Sequence, residues 1–317
     1  MKILIDVDAL ETAGLLAPET AAMLRTHAVR GTGTTAINAL LALGVVATAA
    51  GINALLPRPS LTAIFGTAFI LSGSWFSRHS IQWRKLGAIW MVVGALVLSA
   101  ALAIIIQRPL AGSLVPIPIL LLVGWYAGSR LLIGLVPLAI AAAIGGSTGY
   151  WHAVYEISVQ EPSLTIVLFT LLGWLAWHMA LRCAGKTQAL AIVFARVCVV
   201  LVNLGFWIGS LWGDTPGRLW DQAGADRMFS SAGAAIPPVA FAIAWAMALL
   251  AAGAWAASKG RNFLVNTVAT FAVIHMYTQW FERLGLTPIS VTVGGLIALA
   301  VGFLAWHYNR QIFSDED

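Results

Sequence analysis

Two side chains in the apolar run AIVFARVCVVLVNLGFW, residues 191–207, could do chemistry: Arg196 and, seven residues on, Asn203. A guanidinium is a permanent cation with five N–H donors, suited to holding a phosphate or a carboxylate. A charge at membrane depth is costly enough to mark a functional site. Two other runs also set polar groups among apolar ones: Asn38 in TTAINALLALG, and Asn266, His275 and Gln279 in NTVATFAVIHMYTQW.

Depth sorts these groups. At about 1.5 Å of rise per residue, Arg196 lies about 10 Å from the cytosolic end of its run, and Asn266 and Asn38 about 6 Å from theirs. Asn203 and His275 lie at about 20 Å, in the outer third, and Gln279 joins them there. The inner set, Arg196, Asn266 and Asn38, would line a vestibule able to hold an anion or a lipid headgroup. Arg196 is then expected to point into the helix bundle and pair with backbone carbonyls or Asn266. The competing account is that Arg196 snorkels along its own stem to the interface.

Histidines raise haem chemistry, whose axial ligands must sit at matching depth on facing helices. His178 and His307 match, each closing an LAWH string. Each also neighbours tryptophan and a basic residue, which suits an interfacial anchor, so no haem or other cofactor is expected. Cys183 and Cys198 have too few neighbouring ligands for zinc, and no metal site is expected. AGKT at 184–187 lacks the first glycine of a phosphate loop and the strand before it, and GTGTTA at 31–36 has no strand before it either. The segments YWHAVYEISVQEP and GDTPGRLWDQAGADRMF carry His152, Glu156, Glu161, Asp214, Asp221 and Asp226, the candidates for an external binding surface. A nucleophile with an adjacent base is not evident, so catalysis has no positive support in the sequence.

These residues need elements to position them. The chain is 60% hydrophobic and 10% charged over 317 residues, too few polar groups to cover a soluble fold of this size. Its apolar runs of about 18 residues or more mark spanning helices. The expected fold is an all-α bundle of ten spans, at 34–56, 60–77, 86–106, 110–128, 131–149, 163–181, 189–212, 233–257, 262–281 and 290–308. Before them, residues 1–33 read as a cytosolic amphipathic helical segment, with no signal peptide; after them comes an acidic tail, 309–317. No Asp or Glu falls inside a span, which weighs against coupling through an intramembrane carboxylate.

Charge orients the spans. With the N-terminus inside, the cytosolic basic residues are Lys2, Arg25, Arg30, Arg78, Arg84, Lys85, Arg130, Arg182, Lys186, Lys259, Arg261 and Arg310. Arg58, Arg108, Arg218, Arg227 and Arg283 fall outside, a bias that puts both termini in the cytosol. Basic residues placed singly beside spans are orientation signals, so the net charge of +5 does not imply nucleic acid. Five helix ends repeat a glycine–aromatic–basic order: GSWFSR at 73–78, GWYAGSR at 124–130, GWLAWHMALR at 173–182, GAWAASKGR at 253–261 and GFLAWHYNR at 302–310. Tryptophan at headgroup level with a cation beyond it is interfacial anchoring.

The segment RNFLVNTVATFAVIHMYTQWFERLGLTPISVTVGGLIALAVGFLAWHYNR starts R-x-x-L-V-N, passes an aromatic-rich helix end and a short loop, and closes on basic residues. It resembles the end of the bacterial membrane proteins grouped as domain-of-unknown-function family 2157 and their relatives. ALETAGLLAPETAAMLRTHA is similar to that family's N-terminal helical segment. The resemblance implies a bacterial inner-membrane location, a partner protein on the external side and no catalytic residues. The expected function is a non-enzymatic accessory or binding component of an envelope complex, in contact with membrane lipids. The alternatives are a ten-span solute carrier like the drug/metabolite transporters, built from inverted halves, and a membrane-embedded enzyme.

Overall fold

Helix starts in this chain are written locally. Six helices begin on proline, at Pro59, Pro109, Pro116, Pro162, Pro238 and Pro288, where the missing N–H and fixed φ cost nothing. The structure is a computed structural model that describes residues 58–79, 84–107, 109–151, 154–217, 234–285 and 287–314, with isolated positions before residue 58. The helical segment 1–33, the span at 34–56 and Asn38 lie largely or wholly outside the described residues. Among the described residues, five helices are long and apolar enough to cross a membrane. The helical class expected from composition stands, with one two-stranded hairpin added.

The chain divides into two compact units, Met1–Val97 and Leu98–Asp317. In the first, α1 (Pro59–His79) packs on the start of α2 (Arg84–Ile106) through facing glycines. A Cβ on Gly73 would stand 2.6 Å from the Gly87 carbonyl oxygen, and one on Gly94 would stand 2.7 Å from that of Gly66. Each helix carries its two glycines seven residues apart, so the backbones touch twice. Trp90 fills the space beside them, edge-on to Phe69 and Phe76 at centroid distances of 5.2 and 5.7 Å.

The second unit runs α3 (Pro109–Leu114), α4 (Pro116–Ala127), α5 (Arg130–Ala143), β1 (Gly146–Trp151), β2 (Val154–Val159), α6 (Pro162–Arg182), α7 (Gly185–Trp212), α8 (Pro238–Ser258), α9 (Asn262–Leu284) and α10 (Pro288–Ser314). Across the span expected at 110–128, α3 and α4 meet at Val115, whose φ of −61° and ψ of −39° stay helical; Pro116 and Pro118 lack the N–H that would bond the preceding turn. The one expected at 131–149 ends early. Its helix has 14 residues, about 21 Å of rise, short of the roughly 30 Å hydrocarbon core. Gly145 adopts φ +86°, which stops the helix, and 146–151 pairs antiparallel with 154–159, Ser147 opposite Ser158. Pro237 and Pro238, read as interior to a span, instead open α8.

Between α4 and α5, Gly128 takes the left-handed conformation at φ +66° and caps α4. Ser129 then caps α5 by accepting from the Leu132 N–H at 3.3 Å. Lys186 Nζ donates to the Tyr126 carbonyl at 2.9 Å, a cation at the C-terminus of α4. Two residues, Cys183 and Ala184, join α6 to α7, so the helices pack antiparallel along their length. Gly173 permits their approach: its Cβ would meet that of Cys198 at 3.1 Å. α7 also packs on α5 and α8, and α8 on α9.

Candidate functional site

Helices α6, α7, α8 and α9 enclose a partly open cleft of about 240 Å³. Gly173 and Trp174 line it from α6, Val199 and Asn203 from α7. From α8 come Trp245 and Ala248, and from α9 Leu264 and Val268. No lining residue titrates.

Two of the polar side chains in this lining, Asn203 and Trp245, bond to each other. Trp245 Nε1 donates to Asn203 Oδ1 at 3.0 Å, and Asn203 Nδ2 donates to the Val199 carbonyl at 2.8 Å. Trp245 is fully buried, and Asn203 nearly so. His275 closes edge-on against Trp245 at 4.8 Å, so the structure joins Asn203 to His275 through a tryptophan that sequence reasoning missed. His275 Nδ1 and, one turn further on α9, Gln279 Nε2 are buried with no hydrogen-bond partner. Trp245 lies 42 residues from Asn203 along the chain, and only its placement mid-run in AIAWAMALL hinted at a buried anchor.

Arg196 is exposed, and its guanidinium lies over the Phe263 ring at 4.6 Å. It makes no hydrogen bond to Asn266 among the described residues; Asn266 is exposed, and its carbonyl accepts from Thr270. The expected inward pairing is therefore replaced by a cation–π contact on the outside of the helices. The reason is geometric. Ala195 and Cys198 carry the buried face of α7, and Arg196 falls on the other side. A second such contact was not anticipated: Arg261, at the N-cap of α9, lies over the Trp177 ring of α6 at 5.1 Å. Both arginines stand at the end of the bundle that carries Arg182, Lys186 and Lys259.

At the opposite end, two residues read as loop surface are buried. Glu161 and Asp214 are each 3% exposed. Asp214 Oδ2 accepts from the Ser163 N–H at 2.8 Å, which caps α6 from the far end of α7. Glu161 Oε1 accepts from the Gly217 N–H at 2.9 Å in the reverse direction. Asp214 also pairs its backbone with Ile236, which ties the ends of α7 and α8 together. The unpaired N–H groups at the start of α6 draw the Asp214 carboxylate inward, while that of Glu161 is held by a turn N–H beyond the end of α7. Asp214 Oδ1, Ser163 Oγ and Thr165 Oγ1 remain buried without partners.

His178 packs edge-on against Trp174 at 4.4 Å, one turn apart on α6. The side chains of His307 and Glu156, and all of His152, Asp221 and Asp226, lie outside the described residues, so neither the His178–His307 pair nor a binding surface made of those loops is described. Among the described residues, no group of three or more His, Cys, Asp or Glu side chains gathers to hold a metal ion. A scan of protein-family models, a search of curated proteins and a search of solved structures each return no match.

Proposed function

We propose that this chain is a multi-pass component of the bacterial inner membrane that works by binding rather than by chemistry, as an accessory member of an envelope complex. The observation that carries the reading is the cleft among α6–α9, where no lining side chain titrates and the Asn203–Trp245 pair satisfies itself. Such a lining holds a ligand and offers it no acid, base or nucleophile. The ten-span topology with both termini cytosolic, from the basic-residue bias, belongs to this reading. So do the kinship with family 2157 and a partner protein on the external side.

A solute carrier is the second reading, favoured by the partly open cleft among α6–α9. Native electrophoresis of the full chain in mild detergent tests both. The binding reading expects an assembly larger than the 33.6 kDa protomer, weakened by Ala248→Phe, which fills the cleft. A protomer that runs alone and exchanges solute across proteoliposomes would replace it with the carrier.

A further inference from the structure

The cleft and the two exposed arginines form one amphipathic feature. Arg196 precedes the lining residue Val199 by three positions on α7, and Arg261 precedes the lining residue Leu264 by three on α9. Three residues are about 4.5 Å of helix rise, so each cation stands one turn beyond the apolar lining, at the same end. The two aromatic contacts hold the guanidiniums on ring faces, and a stacked guanidinium keeps its in-plane N–H donors available. Neither arginine pairs with a carboxylate among the described residues, and the nearest basic neighbours add positive charge.

Water is a poor occupant for the rest of the feature. The cleft is lined mainly by apolar side chains, which offer water few hydrogen-bond partners. A polar solute would find the Asn203 amide already bonded on both sides. The matching molecule has a hydrocarbon chain and an anionic head at one end. Resting on the binding reading above, we propose that the cleft holds one acyl chain of an anionic glycerophospholipid of the surrounding bilayer, with its phosphate between Arg196 and Arg261. A zwitterionic lipid is disfavoured because its own ammonium competes for the phosphate.

The test uses the full chain in detergent, titrated with phosphatidylglycerol, phosphatidylcholine or inorganic phosphate, and read by thermal midpoint and by lipid retention in native mass spectrometry. Phosphatidylglycerol should be retained and raise the midpoint, phosphatidylcholine should do so more weakly, and inorganic phosphate should leave the midpoint unchanged. Removing each cation should lower the preference for phosphatidylglycerol roughly fivefold, so Arg196→Gln/Arg261→Gln should treat the two lipids nearly alike. Ala248→Phe should retain neither. A measurement on the unsubstituted chain stands beside these: phosphatidylglycerol with brominated acyl chains should quench tryptophan fluorescence more than brominated phosphatidylcholine, because Trp174 and Trp245 line the cleft. Equal retention of both lipids by the unsubstituted chain would overturn the inference, as would inorganic phosphate matching phosphatidylglycerol or a face covered by a second copy of the chain. An unsubstituted chain that shows no lipid preference while its assembly stays intact would sink this inference alone. A lone protomer that retains phosphatidylglycerol would sink the envelope-complex reading alone.

Discussion

Trp245 Nε1 donates to Asn203 Oδ1 across 3.0 Å, joining α8 to α7 through two buried side chains. Asn203→Leu leaves the indole N–H buried and unpaired, and Trp245→Phe does the same to the amide oxygen. A stranded buried group costs about 1–3 kcal/mol in general, while interhelical hydrogen bonds inside membranes average about 0.6 kcal/mol. Each single substitution should therefore destabilise by about 1 kcal/mol. The double variant should cost less than the sum, because it strands nothing. Reversible unfolding in detergent, run as a double-mutant cycle, measures the coupling, and strict additivity would show that the bond contributes nothing.

The carboxylate clamp across α6 and α7 separates charge from hydrogen bonding. Asp214→Ala removes the acceptor for the Ser163 N–H and should destabilise by about 1–2 kcal/mol, the cost of a lost N-cap. Asp214→Asn keeps an oxygen in place and should cost much less. A thermal melt of the pair decides it; equal losses would mean that the charge at the helix N-terminus matters more than the bond.

The α1–α2 contact is sensitive to a single methyl. Gly73→Ala and Gly87→Ala each place a Cβ within 2.6 Å of a backbone carbonyl, and backbone cannot step aside as a side-chain tip can. Overpacking of this kind costs about 1–3 kcal/mol. Gly295 on α10 has open space around its missing Cβ, so Gly295→Ala should stay within about 0.5 kcal/mol of the parent. Unfolding midpoints that rank the three alike would dissolve the glycine contact.

The two cysteines report sidedness without a fusion. Cys198 is fully buried in the core with Phe169 and Leu201, while Cys183 is partly exposed at the turn between α6 and α7. In the ten-span topology a membrane-impermeant maleimide should label Cys183 in inverted vesicles and leave it untouched in intact cells. Cys198 should react only after denaturation. Labelling of Cys183 from outside the cell would reverse the topology.

What the sequence determined by itself was carried by local chemistry: the helical class and the positions of the long apolar helices among the described residues. Proline at helix starts and glycine at their ends act through the backbone of a few neighbouring residues, so they can be read in one dimension. Even here the hairpin at 146–159 escaped, although VYEISV alternates in the strand period, because the apolar run before it masked the end of α5. Tertiary structure decided rotation and company. Depth put Arg196 and Asn203 on one helix but could not say that α7 buries Asn203 against Trp245 and turns Arg196 outward over Phe263. Facing depends on which neighbour packs where, and those neighbours are tens of residues away. The repeated glycine–aromatic–basic ends show the same division. Their composition is plain in one dimension, yet Gly73, Gly124, Gly173 and Gly253 each also meet a close neighbour on an adjoining helix. The burial of Glu161 and Asp214 was decided the same way: each carboxylate accepts from a backbone N–H more than fifty residues away, Asp214 from Ser163 at the start of α6 and Glu161 from Gly217 in the turn after α7.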